Sequence, residues 1–446
     1  MDRALALPKT FIEPLLDTQT ETCIYLPSLQ DFLNKSKLYW MRYLNTNAIK
    51  QVLLNKYWLV LSISGVFFTY FILNEMGTGV FIGTSAFFLL IQTIFGKYRI
   101  KTIPFTYLAL GTIVFLIIAL SFLFSFENTD MTRASRLIKF LIIVFTIHCI
   151  SRLSIEVHIV RIIQSFLSLS ILWEFVACIL YRMPYGTFSN PHYLANFAAL
   201  ALPGMFYFFW VSDKVYKVIF FIVGLLDVHL LLLSSSRPAI MALFLSTMFV
   251  ILFCAHRRYK WLCTFIIFIL LLTIFLTDYM GVYSRFKDLA INFKEEERWQ
   301  LWEAGWKMLS DNSTAAWIFG NGLGSISPSF KKYVSVFGYK WSLLTFPHLH
   351  IFEILYENGV VGAILIFSGI SALLYFFIKF VRKATNGARR VLAGCILVMF
   401  LTSLFHTNMT FQFYSKYTLY PLAFIIGCVL AIYDQNFIDY GWSNTQ

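Results

Sequence analysis

The chain has 446 residues, of which 59% are hydrophobic and only 13% charged, and a formal net charge of +13. Apolar runs of about 20 residues recur along it, the length that crosses a bilayer core, so a soluble globular enzyme is excluded. The basic residues are dispersed among short polar segments and form no single stripe, which argues against a nucleic-acid partner.

Residues 1–56 precede the first long apolar run and contain no cleavable signal pattern. They interleave Lys35, Lys37, Arg42, Lys50 and Lys56 with Tyr39, Trp40 and Tyr43. That pattern suits a cytoplasmic amphipathic segment touching anionic lipid, with an ordinary solvated tail as the alternative. Spans are then predicted over 57–76, 79–96, 103–125, 137–151, 162–181, 193–211, 215–233, 238–255 and 261–279. A long polar segment, 280–347, separates these from three more at 352–378, 391–407 and 417–433. Residues 434–446 read as a cytoplasmic tail. The expected fold is all-α: a polytopic transmembrane helical bundle of about twelve spans with one large periplasmic loop containing interfacial helices. Its units are 1–56, spans 1–9 over 57–279, the loop 280–347, and spans 10–12 within 348–433.

Short cytoplasmic loops carry the excess of positive charge. Counting alternate loops as inside collects Lys97, Arg99, Lys101, Arg152, Arg161, Lys214, Lys217, Arg257, Arg258, Lys260, Lys379, Arg382, Lys383, Arg389 and Arg390. The opposite short loops hold only Arg133, Arg136, Arg182, Arg237 and Lys416. Both termini are therefore expected inside and 280–347 outside. The seven cysteines avoid the long loop, so neither an external disulfide framework nor a zinc spacing is expected.

With sides assigned, the unusual polar residues fall mostly outside. RMPYGTFSNPHYLAN places a turn at Gly186, Asn190 and Pro191 before the sixth span. SSSRPA holds Arg237 at the membrane surface in a very short connection. In EEERWQLWEAGWKML, Trp299, Trp302 and Trp306 recur at helical spacing, the pattern of a helix lying in the bilayer interface, and Arg298 shares a face with Trp302. Arg298 could thus be braced by an indole and presented to an anion. In PHLHIFEILYENGVVG, His348 sits at a water–membrane boundary, and Gly359 and Gly362 would let a neighbouring helix approach.

Two outward arginines and an outward histidine suggest a site for a phosphate group and a hydroxyl. The guanidinium fork bonds phosphate oxygens bidentately and never loses its charge, and imidazole is a base near neutrality. A lipid-phosphate anchor and a satisfied helix cap are the plainer roles for a lone arginine and a lone histidine at such places. His350, with Glu353 and Glu357, forms a polar stripe and is the alternative base. GNGLG, Gly320 to Gly324, lacks the Lys and Ser or Thr of a phosphate loop and reads as a sharp turn. Glu174, Asp227 and His229 lie in apolar spans, where the plain expectation is pairing inside the bundle and proton relay the alternative.

TFSNP, SSSR, ERWQLW followed by GNGLG, and a His spaced eleven residues from a Gly with a second Gly three further on occur in this order over roughly residues 180–375. Together they resemble the bacterial O-antigen ligase and polymerase family, although Leu349 stands where that pattern has Asn, Ser or Gln. The resemblance implies a multi-pass inner-membrane glycosyltransferase, metal-independent and without cofactor, working on the periplasmic face. It would take a glycan from undecaprenyl diphosphate, with Arg237 and Arg298 binding the donor diphosphate and His348 activating the acceptor hydroxyl. The partners so implied are the lipid-linked glycan, a lipid A core or other glycan acceptor, and the bilayer. A polymerase and a protein O-oligosaccharyltransferase are alternatives of the same class, and a lipid-linked sugar flippase is one of another. The flippase reading calls for symmetric halves with interrupted helices, which the sequence does not display.

Overall fold

A computed structural model describes residues 157–254 apart from 183–185 and 189, then 281–291, 297–336, 346–384 and 387–411, with scattered single positions between 272 and 278 and between 418 and 427. The segment 1–56, the first four predicted spans and most of the ninth and twelfth lie outside the described residues. Every described regular element is helical: α1 Val157–Tyr181, α2 Pro191–Val211, α3 Lys214–Leu233, α4 Arg237–Cys254, α5 Val282–Ile291, α6 Glu297–Ser310, α7 Thr314–Phe319, α8 Ile326–Val336, α9 His350–Lys383 and α10 Gly387–Thr410.

Five of these are long and apolar enough to cross a membrane: α1 from Ile163 onward, α2, α3, α9 and α10; α4 is apolar but shorter. Two cores hold them together. One joins α1 to α4 through Ile171, Leu194, Phe197, Met205, Val223, Leu230 and Ala239. The other packs Phe377, Phe380 and Val381 of α9 on Leu397, Phe400 and Leu401 of α10. Outward faces stay apolar, with Val218, Ile219, Phe221, Ile222 and Leu225 of α3 exposed, as lipid solvation requires.

Local sequence explains the connections at one end of the bundle. Asn190 caps α2, its side chain accepting from the His192 N–H at 2.8 Å, and Pro191 occupies the first turn, where a missing N–H costs nothing. Between α3 and α4 the chain reverses in three serines. Ser234 closes α3, Ser235 takes a left-handed φ of 53°, and the Ser236 carbonyl accepts from Ala239 and Ile240 to open α4.

α6 to α8 form a cap over the first turns of α9. Leu301, Ala304, Met308 and Leu309 of α6 pack on Ile326, Phe330 and Val334 of α8 and on Tyr356 of α9, leaving Trp299 and Trp306 exposed. The expected Gly359 and Gly362 contact face takes a different form. Gly359 has φ 63° and ψ −173°, so α9 is interrupted there. What approaches is not a second span but the end of α7: a Cβ at Gly359 would collide with the Ile318 carbonyl, and one at Gly320 with the Glu357 carbonyl. The GNGLG turn does more than reverse the chain. Its N–H groups take over carbonyls at the break, Asn321 donating to Tyr356 at 2.8 Å and Gly322 to Glu357 at 3.0 Å. The Glu357 carboxylate in turn accepts from the Ile326 N–H at the start of α8. Past the break, Val360 to Lys383 runs for roughly 36 Å, enough to cross a hydrocarbon core alone.

Glu174 of α1, buried in its span, accepts from both the N–H and the hydroxyl of Thr187, so it fastens the segment before α2. His229 meets Phe175 edge-on. Asp227 of α3 is fully buried and neither of its oxygens has a hydrogen-bond partner among the described residues, so the expected pairing is not found there.

Candidate functional site

The start of α2, the α3–α4 turn, the start of α9 and the end of α10 meet at one end of the bundle. Tyr193 stacks on Phe411 with ring centroids 5.3 Å apart. The His350 N–H donates to the Asn408 side chain at 2.9 Å, and His350 Nε2 lies 3.0 Å from the Phe411 carbonyl. His350 is thus buried and spent on holding α9 to α10, which disfavours it as a base in solution contact.

His348 stands apart from that framework. It follows Pro347 in the turn before α9, with a left-handed φ of 54°, a conformation that a non-glycine residue keeps only when its surroundings enforce it. Its ring lies 4.1 Å from that of Phe346, centroid to centroid. It hydrogen-bonds the Thr410 backbone carbonyl, and Nδ1 is buried with no partner among the described residues. The Thr410 bond therefore belongs to Nε2, which keeps its proton and leaves the Nδ1 lone pair free to accept one. Burial first, then the Arg298 cation and His192, pull His348 from the ordinary histidine value down to about 4, the Thr410 bond opposing them.

Arg237 begins α4 and Arg298 lies in the first turn of α6, both half-buried. These two and His348 are the expected site residues, and the fold draws them around a fourth residue that sequence reasoning passed over. Both guanidinium charges act on the ring of His192, which in turn acts on His348. His192 Nδ1 lies 3.0 Å from Ser236 Oγ, which ties the first turn of α2 to the residue before Arg237.

His406 of α10 is a fifth member, also unforeseen. It is fully buried, and the Arg298 charge and His192 both act on its ring. Its Nδ1 lies 3.1 Å from Asn196 Oδ1, four residues after His192 on α2. The prior sign of it is a stripe of Ser403, His406, Thr407 and Thr410 at helical spacing in a predominantly apolar span.

Two fixed cations, a tautomer-fixed imidazole and further polar side chains at the mouth of a membrane bundle can hold a phosphorylated group and remove a proton beside it. Residues 221–367, which include Arg237, Arg298 and His348 but neither His192 nor His406, match the family model described as O-Antigen ligase. No curated protein matches the chain.

Proposed function

We propose, from the match of residues 221–367 to the O-antigen ligase family model, that this chain is a membrane glycosyltransferase of that kind, transferring a glycan from undecaprenyl diphosphate to the hydroxyl of lipid A core. The observation that carries the reading is that Arg237, Arg298 and His348, from three separate parts of the chain, all lie within electrostatic reach of His192, which Ser236 fixes beside Arg237.

Arg237 and Arg298 hold the donor diphosphate, their planar forks matching its oxygens. His348 Nδ1 takes the proton of the acceptor hydroxyl as its oxygen attacks the anomeric carbon from the side opposite the diphosphate. The bond from that carbon to the phosphate oxygen breaks, and its electron pair leaves with the diphosphate, where the guanidinium charges stabilise it. One displacement inverts the anomeric centre. The indole-bearing cap of α6 shields the reaction from water that would hydrolyse the donor.

Charge sidedness supports placing the site at the periplasmic face of the inner membrane. The opposite end of the described bundle carries Lys214, Lys217, Lys379, Arg382, Lys383, Arg389 and Arg390, the excess expected on the cytoplasmic side. That placement agrees with a count of about twelve spans and an outward 280–347 loop.

The test is transfer by the purified protein in nanodiscs from a polyprenyl-diphosphate glycan, with lipid A core, a second lipid-linked glycan and a protein hydroxyl offered separately and no nucleotide or metal added. Product with the first acceptor is expected. Product only with the second or third would make the protein a polymerase or an O-oligosaccharyltransferase. Movement of the lipid-linked glycan across the bilayer without any new glycosidic bond would make it a flippase.

A further inference from the structure

We infer that Trp302 and His406 form a sugar-reading subsite beside the Arg298 diphosphate position, where His406 accepts from, and Trp302 donates to, polar groups on the first sugar of the donor. The inference rests on the reading above that Arg298 holds the diphosphate.

His406 and Trp302 contribute complementary atoms. The Asn196 Oδ1 contact engages the His406 Nδ1 proton, so Nε2 carries the lone pair, and that nitrogen is buried with no partner among the described residues. Arg298 is close enough for its charge to act on this ring. Trp302 lies one helical turn beyond Arg298 on α6, so the two side chains share a face. Its indole N–H, which can only donate, is likewise buried without a partner among the described residues. A buried polar atom left unpaired is costly, and these two, one on the Arg298 helix face and one within reach of its charge, are accounted for if a ligand supplies their partners.

Chemistry narrows that ligand. The oxygens of an ionised diphosphate accept and do not donate, so they cannot satisfy His406 Nε2. A sugar hydroxyl does both, and an acetamido group offers an N–H to the histidine and a carbonyl to the indole. The first sugar is covalently next to the diphosphate, so it is the part of the donor that a diphosphate on Arg298 brings to these atoms.

The experiment compares two probes by affinity in nanodiscs: a polyprenyl diphosphate carrying one 2-acetamido sugar, and the bare polyprenyl diphosphate. Wild-type protein is expected to prefer the sugar-bearing lipid by about tenfold, in line with one or two hydrogen bonds. His406→Leu and Trp302→Phe, placed on separate helices, should each bring the two affinities to within about threefold while the bare lipid still binds. His406→Gln, which returns an acceptor oxygen near the Nε2 position, should restore part of the preference, an outcome that loss of packing would not produce. Arg298→Lys should weaken both probes alike. Retention of the full preference in His406→Leu and Trp302→Phe would overturn the subsite while leaving the donor assignment standing. Failure of wild-type protein to bind either lipid would overturn the donor assignment and the subsite together.

Discussion

His192 and Ser236, 44 residues apart in sequence, meet at 3.0 Å between Nδ1 and Oγ and so join the start of α2 to the residue that precedes Arg237. A single bond of this kind fixes where Arg237, one of the two cations proposed to bind phosphate, sits relative to His192. Ser236→Ala should therefore weaken lipid-diphosphate binding by about fivefold in the folded protein, alongside a stability loss of about 1 kcal/mol from the missing hydrogen bond. Isothermal titration in nanodiscs checks it, and unchanged affinity would sink the positioning role.

The arginines invite a geometric test. In Arg237→Lys and Arg298→Lys the charge stays and the fork is lost, so transfer should fall roughly a hundredfold if the forks stabilise the departing diphosphate. Transfer near the wild-type rate in both would mark them as anchors for lipid headgroups.

His348 and His350 should fail in different ways. His348→Ala should reduce turnover by about a hundredfold to ten-thousandfold with donor affinity retained, since its proposed role is to take the acceptor proton. His350→Ala removes the bond to the Phe411 carbonyl and should instead lower stability by about 1–3 kcal/mol, with turnover per folded molecule largely kept. The paired readout is thermal unfolding beside single-turnover transfer. The opposite pattern would move the base by two residues.

The pH profile carries a sign that follows from the site. His348 works as a base only when unprotonated, and burial with the Arg298 cation holds it near 4, so kcat/KM should be level through neutrality and fall as pH drops through about 4. Removing the cation in Arg298→Gln relieves part of the depression, and the acid limb of whatever activity remains should move to higher pH. A bound diphosphate neutralises the same cation, so the limb of kcat should lie above that of kcat/KM. A limb that stays fixed in both comparisons would separate His348 from the observed titration.

Gly359 and Gly369 lie ten residues apart in α9 yet should respond in opposite directions to alanine. Gly359→Ala places a Cβ against the Ile318 carbonyl in a left-handed conformation and should cost more than about 2 kcal/mol. At Gly369 nothing lies within 4 Å of an added Cβ, so alanine there should gain roughly 0.5–1 kcal/mol of helix propensity. Unfolding midpoints of the two variants in the same detergent decide it.

Much of this architecture was readable beforehand, because bilayer solvation demands long apolar helices and punctuates them sharply. The predicted spans at 162–181, 193–211 and 215–233 correspond to α1, α2 and α3 within a few residues. Arg237 and His348 stand out as costly residues beside apolar runs, Arg298 by its helical spacing to the tryptophans, and all three fall on one assigned side. His192 is hidden inside a turn motif whose Asn and Pro explain it well enough, and His406 inside a span where neighbouring threonines bond their own helix. Thr407 and Thr410, for instance, donate to the carbonyls four residues back. The break at Gly359 was illegible for another reason: two glycines three apart carry the same letters whether they admit a second helix or end the first.

That break has a mechanical consequence. The Gly320–Gly324 turn is bonded to α9 on the far side of the α6–α8 core, so the helix that carries Arg298 and the turn that carries His348 travel as one block. Arg237 and His192 belong to the α1–α4 core, which the Tyr193–Phe411 stack and the His406–Asn196 contact tie to α10. A diphosphate held by both arginines, as proposed, would bridge the α1–α4 core and the α6–α8 cap, so its binding is expected to tie the cap down onto the bundle.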